Sequence, residues 1–177
     1  ESGEPWLGAR RDGLVEPGAD DAGVERSYRT DLTASGWTQP QLVRFPGSDD
    51  AAVVRVSWVS EDEAACLVTV ASPEGSSWIG RSERPSKGAP WGEVVRVEAL
   101  GEGNAEDGVY LTGSASKIVF TANWAGNPQS DLVLFDPSVS ETPQLLTPPI
   151  TTPASEWGVR VGPNNELLFA RGDRQRQ

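Results

Sequence analysis

An acidic residue recurs at intervals of about fifty residues, each time just ahead of an apolar run. The positions are Asp50, Glu106 with Asp107, and Glu156. Carboxylates brought together would suit a hard cation such as Ca²⁺, an amine or a cationic peptide, and each would raise the pKa of the others. A glycosidase also uses two carboxylates, about 5–10 Å apart. The alternative is a structural role, in which each carboxylate accepts backbone N–H bonds from its own turn.

The seven tryptophans are the other side chains suited to contacting a ligand. Trp124 and Trp157 stand beside predicted turns, where an exposed ring stacks on a sugar or grips a peptide. Trp37 and Trp91 begin equivalent segments, so we expect both to pack as large apolar plugs between repeated units. Trp124 and Trp157 are therefore the candidate aromatic contacts.

The chain lacks the residues on which several kinds of catalysis depend. There is no His, which removes the commonest general base and the commonest transition-metal ligand. The single Cys66 lies inside an apolar run and has no partner for a disulfide within one chain. Arg171-Gly172-Asp173 spells the cell-adhesion tripeptide, but a match of three residues often arises by chance. We predict a protein that is not an enzyme and has no cofactor, with Ca²⁺ as the one cofactor to consider.

The chain is strongly acidic, with a net charge of −11. This charge repels phosphate backbones and anionic membrane surfaces, which argues against a nucleic-acid partner. No apolar stretch approaches the roughly 18–20 residues needed to cross a bilayer, so we predict no transmembrane segment. Because the chain contains no Met, we expect it to be processed or a fragment.

Short strands are the elements that must position these residues. Gly (19) and Pro (14) are spread among apolar runs rich in β-branched and aromatic residues, and no window shows a helical period. A repeat of about fifty residues with several strands per unit is typical of propeller blades. We therefore predict an all-β fold, a β-propeller of four-stranded blades. Residues 1–45 would form a partial blade, 46–100 and 101–149 would each form a blade, and 150–177 would form another partial blade.

The apolar runs also predict where the strands of each blade lie. The first strands would be Val53–Val59, Val109–Thr112 and Val159–Val161, and the second strands Cys66–Ala71, Ile118–Ala122 and Leu167–Ala170. About three blades cannot close a ring alone, since propellers have about 4–8 blades. We expect missing sequence, a second copy or another chain to complete the ring.

The stretch from Trp78 to Asp173 resembles the WD40-like PD40 repeats of TolB-type β-propellers. The matching segments are SSWIGRSER, APWGEVVRV, GNAEDGVYL, TGSASKIVFTANWAG and SDLVLFD. The family's SPDG turn is replaced here, for example by Ser114-Ala115-Ser116. The resemblance implies a propeller scaffold used for binding, in the periplasm, secreted or at the cell surface.

These observations predict a non-catalytic, extracytoplasmic protein-binding propeller module. Its partner would be a protein or peptide. The residues that hold it, at the mouth of the propeller's central channel, would be Asp50, Glu106, Asp107 and Glu156. One alternative is a carbohydrate-binding or glycoside-hydrolysing propeller that grips a glycan. Another is a structural subunit whose open blade edges are covered by other chains, because unpaired edges favour assembly.

Overall fold

The computed structural model describes residues 13–19, 25–48, 51, 53–101, 105–111, 114, 116–123, 129–162 and 166–172. In these residues the regular structure is β-strand, apart from one 3-10 turn at Glu98–Leu100. The all-β prediction is therefore confirmed. The strands, in chain order, are β1 (Gly13–Ala19), β2 (Glu25–Thr33), β3 (Gly36–Trp37), β4 (Gln41–Leu42), β5 (Val53–Val59), β6 (Ala65–Ala71), β7 (Ser77–Glu83), β8 (Val95–Arg96), β9 (Ala105–Tyr110), β10 (Ile118–Ala122), β11 (Asp131–Phe135), β12 (Gln144–Leu145), β13 (Ser155–Val161) and β14 (Leu167–Gly172).

The chain divides into two compact units. The first comprises Glu1–Gly75 and Gly80–Val95, and the second comprises Ser76–Ile79 and Arg96–Gln177. Strand β7 therefore begins in the second unit and ends in the first. Each unit has its own apolar core. Cys66, Leu67 and Val68 are fully buried in the first, and Phe120, Leu132, Val133 and Val159 are fully buried in the second.

The first unit is built on the sheet order β1-β2-β5-β6-β7, with β3 and β4 also paired to β2. Strand β2 is antiparallel to β1 and parallel to β5. A polar contact supports the parallel pair, since the Val56 N–H donates to the Ser27 hydroxyl at 2.8 Å. Arg55 also reaches Glu25 across these strands at 3.1 Å. Strand β2, which falls in the predicted partial blade, is thus hydrogen-bonded to the following segment.

The second unit contains a four-stranded sheet in the order β12-β11-β10-β9, and the hairpin β13-β14. Consecutive strands of the four-stranded sheet pair in antiparallel fashion. This arrangement follows the chain order predicted for the blade at residues 101–149. Strand β13 lies against β9, β10 and β11.

Three hairpins share one irregularity in their first strand. An extra residue enters β5 opposite β6, β9 opposite β10, and β13 opposite β14. In β9 and β13 the bulges lie fifty-one residues apart, at 107–108 and 158–159, and Glu106 and Glu156 precede them at the same register position. A bulge lets a strand bend and increases its twist. The sequence repeat therefore has a counterpart in strand pairing.

Two of the predicted strands start four residues earlier than expected. Strand β9 begins at Ala105 instead of Val109, and β13 begins at Ser155 instead of Val159. The polar residues before the apolar run continue the ladder beyond the bulge, which an apolar pattern does not reveal. The end of the predicted partial blade at residues 1–45 contains two short strands, β3 and β4. Among the described residues the sheets are open and no ring closes, and no helix there is long and apolar enough to cross a membrane.

Candidate functional site

The predicted carboxylates lie within strands and not in the loops ahead of them. Glu106 and Asp107 belong to β9, and Glu156 belongs to β13. Trp157 also belongs to β13, where it is half-buried and its ring lies over Gly172 of β14. Asp50 and Trp124 lie outside the described residues. The structure therefore places Glu106, Asp107, Glu156 and Trp157 on two strands that lie against each other.

Asp107 occupies the bulge of β9 in a left-handed conformation. Its φ is +52°, its side chain is buried, and it is followed by Gly108. A Cβ at Gly108 would lie 2.9 Å from Cδ1 of Ile79, so the core leaves little room for a larger residue there. The bulge of β13 instead holds Gly158 at a φ of +66°. Asp tolerates the left-handed region better than most residues, which explains an acidic residue at this point.

Glu156 is fully buried, and its contacts are internal to the second unit. One carboxylate oxygen, Oε1, accepts hydrogen bonds from the Thr152 hydroxyl at 2.6 Å and from Arg171 Nε at 2.8 Å. The other oxygen, Oε2, is buried and accepts no hydrogen bond from the described residues. Charge-assisted bonds of this kind are stronger than neutral ones. Glu156 therefore links β13 to β14 through Arg171, and to the loop before β13 through Thr152.

Arg171 extends the same connection. Its Nη2 donates to the backbone carbonyls of Pro149 at 2.9 Å and Ile150 at 2.7 Å. The guanidinium also lies 5.4 Å from the centre of the Phe169 ring. The first residue of the Arg-Gly-Asp tripeptide is thus engaged inside its own unit, and Asp173 lies outside the described residues.

Metal ligands are not assembled in the described part of the chain. There, no three Asp, Glu or Cys side chains come together as a group able to hold a metal ion. Because Asp50 lies outside this part, the predicted Ca²⁺ site stays a prediction.

Among the described residues, the most extensive ionic arrangement is one that the sequence did not indicate, and we call it the Glu63 cluster. It consists of Arg29, Asp31, Glu63, Arg84 and Lys87, all in the first unit. Glu63 Oε2 lies 2.5 Å from Arg29 Nη1 and 3.1 Å from Arg84 Nη2. Its Oε1 lies 2.9 Å from Lys87 Nζ. Three cations therefore surround one buried carboxylate.

The turn between β5 and β6 presents Glu63 to these cations. Glu63 has a φ of +55° and its N–H donates to the Ser60 carbonyl at 2.9 Å. The Ser60 hydroxyl and the Asp62 carboxylate accept the N–H of Ala64. A left-handed Glu costs about 1–3 kcal/mol, so the surrounding ion pairs must offset this strain.

Burial and charge shift the pKa values of this cluster in opposite directions. Burial raises the pKa of Glu63, but hydrogen bonds from Arg29 and Lys87 outweigh it and hold that pKa below its ordinary value. The hydrogen bond to Asp31 raises the pKa of Arg29. Burial and the neighbouring Arg29 charge lower the pKa of Arg84. At neutral pH the Glu63 carboxylate is ionised.

Arg84 links the cluster to the aromatic residues of the first unit. Its Nε donates to the Glu63 carbonyl at 2.6 Å, and its guanidinium lies 4.2 Å from the centre of the Trp91 ring. Trp91 in turn lies 6.0 Å from Phe45, ring centre to ring centre, so its ring packs on another aromatic residue, and its predicted place between repeated units stays a prediction. The same prediction for Trp37 is wrong, because its side chain is 56 % exposed on the short strand β3. Trp37 faces only Leu32 across the strand pair, and that residue is itself exposed.

Strands β10 and β14 occupy equivalent positions in the repeat but differ in the number of strands that pair with them. Strand β10 is paired on both sides, by β9 and β11, whereas β14 pairs only with β13 among the described residues. Ile118 of β10 is 2 % exposed, while Leu168 at the same register position of β14 is 60 % exposed. Leu168 and Ala170 of β14 are therefore exposed, and one backbone edge of β14 pairs with no strand among the described residues.

Comparison with known proteins adds no identification. No family profile matches the sequence, and no curated protein matches it.

Proposed function

We propose that this chain is a non-catalytic, extracytoplasmic protein-binding module built from propeller-type repeats, and that it binds a partner strand along β14. The observation that carries the proposal is the open side of β14. Support for the repeat comes from the equivalent bulges of β9 and β13. Support for the location is the resemblance to TolB-type repeats.

An open strand edge binds polypeptide because its outward N–H and C=O groups lack partners in the sheet. Main-chain hydrogen bonds then supply affinity, and side-chain contacts on alternate residues supply specificity. Natural proteins protect such edges with charged residues, Pro or bulges. The middle of β14 instead reads Leu167-Leu168-Phe169-Ala170. Exposed apolar residues in this position favour strand addition over a protected edge.

A glycan-binding module is the second candidate, and Trp37 is the observation that favours it. The Trp37 ring is more than half exposed on a short hairpin in the first unit. Exposed aromatic rings offer faces on which sugars stack. Binding of the wild-type protein to sugars on a glycan array, together with loss of that binding in Trp37→Ala, would support this candidate.

Peptide display tests strand binding without a known partner. We expect a random peptide library selected on the wild-type protein to yield extended apolar peptides. Their affinity should fall about tenfold or more in Leu168→Lys, because a Lys on an edge strand disfavours pairing. The matched control is Val139→Lys, which changes another exposed apolar residue of the same unit.

The two variants distinguish specific binding at β14 from non-specific binding to exposed apolar residues. Circular dichroism and urea unfolding would establish that both remain folded. Equal loss of affinity in Leu168→Lys and Val139→Lys would contradict the proposal, as would a selection that enriches no peptide.

A further inference from the structure

A small cavity in the first unit supports an inference that does not depend on strand binding at β14. The cavity has a volume of about 30 Å³ and lies among β2, β4, β5 and the turn that follows β4. Its lining includes two arginines, Arg26 and Arg44, and no acidic residue. We propose that this cavity binds a carboxylate group, which either a small organic acid or an acidic side chain of another polypeptide supplies.

Backbone pairing brings the two arginines to the same cavity. Arg26 lies on β2 beside β5, and its Nη1 donates to the Ala51 carbonyl at 3.0 Å, which holds the side chain in place. Arg44 lies just after β4, where the chain stays close to β2 because the Val43 N–H donates to the Ser27 carbonyl at 2.8 Å. The side chain of Arg44 is exposed, so its guanidinium lies at the solvent side of the cavity.

Most of the remaining lining is apolar. Leu42, Phe45 and Val54 contribute to it, and Phe45 and Val54 are buried. Ser48 also lines the cavity, and its hydroxyl closes the turn by donating to the Phe45 carbonyl at 2.8 Å. A charge beside apolar walls interacts more strongly than in water, because the local dielectric constant is lower. An anion in this cavity would therefore be attracted more strongly than at an ordinary surface arginine.

Charge favours a monoanion in the cavity. Two guanidinium groups that line one cavity repel each other, and an anion between them reduces that repulsion. Among the described residues, the guanidinium of Arg44 forms no hydrogen bond or ion pair. Its planar set of N–H donors matches the two oxygens of a carboxylate. The net charge of −11 repels a multiply charged anion more strongly than a monoanion.

The size of the cavity also favours a carboxylate. One water molecule needs about 10–15 Å³ of cavity. A volume of about 30 Å³ therefore has room for the two oxygens of a carboxylate and not for the four of sulfate or phosphate.

NMR of the arginine side chains in the ¹⁵N-labelled protein tests the proposal. We expect acetate to produce a saturable shift of the Nε–H signals of Arg26 and Arg44. Acetamide, which has a similar shape and no charge, and sulfate should produce none. Arg44→Gln should weaken acetate binding about tenfold, followed on the Arg26 signal, because a charge-assisted hydrogen bond is lost. The matched control Lys117→Gln removes one positive charge from the second unit and should leave the affinity unchanged.

A second titration distinguishes the two sources of the carboxylate. It uses the tripeptide Gly-Glu-Gly blocked at both ends, with Gly-Gln-Gly as its neutral counterpart. Binding of the first peptide and not of the second would assign the site to an acidic side chain of another polypeptide. Binding of acetate without binding of either peptide would assign it to a small organic acid.

Several results would overturn the proposal. They are the absence of a saturable shift with both acetate and the acidic peptide, equal binding of sulfate or acetamide, and an equal loss of affinity in Arg44→Gln and Lys117→Gln. Asp49 and Asp50 follow Ser48 in the sequence and lie outside the described residues, so the double variant Asp49→Asn/Asp50→Asn is included. Acetate binding in that variant alone would show that the chain's own carboxylates exclude an external one.

Discussion

Replacing Glu63 with Gln is expected to lower the free energy of unfolding by about 3–5 kcal/mol, the usual cost of removing one partner of a buried ion pair. Arg84 is buried and directs two of its nitrogens at Glu63, one to the carboxylate and one to the carbonyl. The neutral Gln leaves that guanidinium without the charge that balances it, and leaves Arg29 paired with Asp31 alone. Urea unfolding followed by tryptophan fluorescence would measure the change.

Glu61→Gln is the matched control for Glu63→Gln. Glu61 lies two residues away in the same turn and is exposed. Its replacement should change the free energy of unfolding by less than about 0.5 kcal/mol, as is usual for surface substitutions. Similar losses in the two variants would mean that the turn, and not the buried ion pairs, explains the effect.

The difference in unfolding free energy between wild type and Glu63→Gln should depend on pH, and the pKa of Glu63 fixes the direction of that dependence. The folded-state pKa of Glu63 lies below its ordinary value of about 4.5, because donors from Arg29 and Lys87 outweigh burial. The stabilisation is therefore complete above the unfolded-state pKa and is lost as pH falls through the folded-state pKa. The difference between wild type and Glu63→Gln should be largest near about pH 7 and should shrink near about pH 3.5. A difference that grows on acidification would contradict the assigned ion pairs.

The sequence predicts well the strands that are continuous apolar runs, and also the alternating strand β5, which is observed at Val53–Val59 as predicted. Strand β10 is observed at Ile118–Ala122, as predicted, and all five of its residues are buried. Strand β6 differs from its prediction only by the addition of Ala65. Continuous apolar runs of four to eight residues bounded by turn residues carry this information in the sequence itself.

The first residue of a strand is harder to predict where it is set by pairing with a neighbouring strand. In β9 the ladder continues past Gly108 to Ala105, because the bulge lets polar residues remain paired with β10. The acidic residues there had been predicted to precede the strand, and the same holds for Glu156 in β13. The position of a carboxylate relative to a bulge follows from register, which is a property of two segments together.

The Glu63 cluster shows why ionic sites escape sequence analysis. Arg29 and Glu63 are thirty-four residues apart, and Arg84 and Glu63 are twenty-one apart. Nothing in the turn Ser60-Glu61-Asp62-Glu63 distinguishes the one buried acidic residue from its exposed neighbours. Only the left-handed φ of Glu63 and the converging strands place its side chain among three cations. Such convergence arises from tertiary contacts.

Cys66 is expected to react with a thiol reagent at least about 1000-fold more slowly in the folded protein than in urea. Burial in β6 raises the pKa of its thiol to about 12, although a backbone hydrogen bond from Ser82 and the charges of Arg84 and Arg81 oppose this. At about pH 8 roughly one thiol in ten thousand is then ionised, compared with roughly one in ten for an ordinary thiol. Because the thiolate is the reactive form, the rate should fall in proportion. Absorbance after addition of Ellman's reagent would measure it.

Glu63→Gln provides the decisive comparison for Cys66, since both residues belong to the first unit. If the thiol becomes reactive only when the unit unfolds, its labelling rate follows the population of the unfolded state. A loss of about 3–5 kcal/mol should then raise the unfolded population, and the rate of labelling through it, by about 10²- to 10³·⁵-fold, and Glu61→Gln should leave both nearly unchanged. If urea unfolding shows the loss in Glu63→Gln but labelling stays at the wild-type rate, reagent reaches Cys66 through a local opening of β6. The ionic cluster would then stabilise the unit without controlling access to its core.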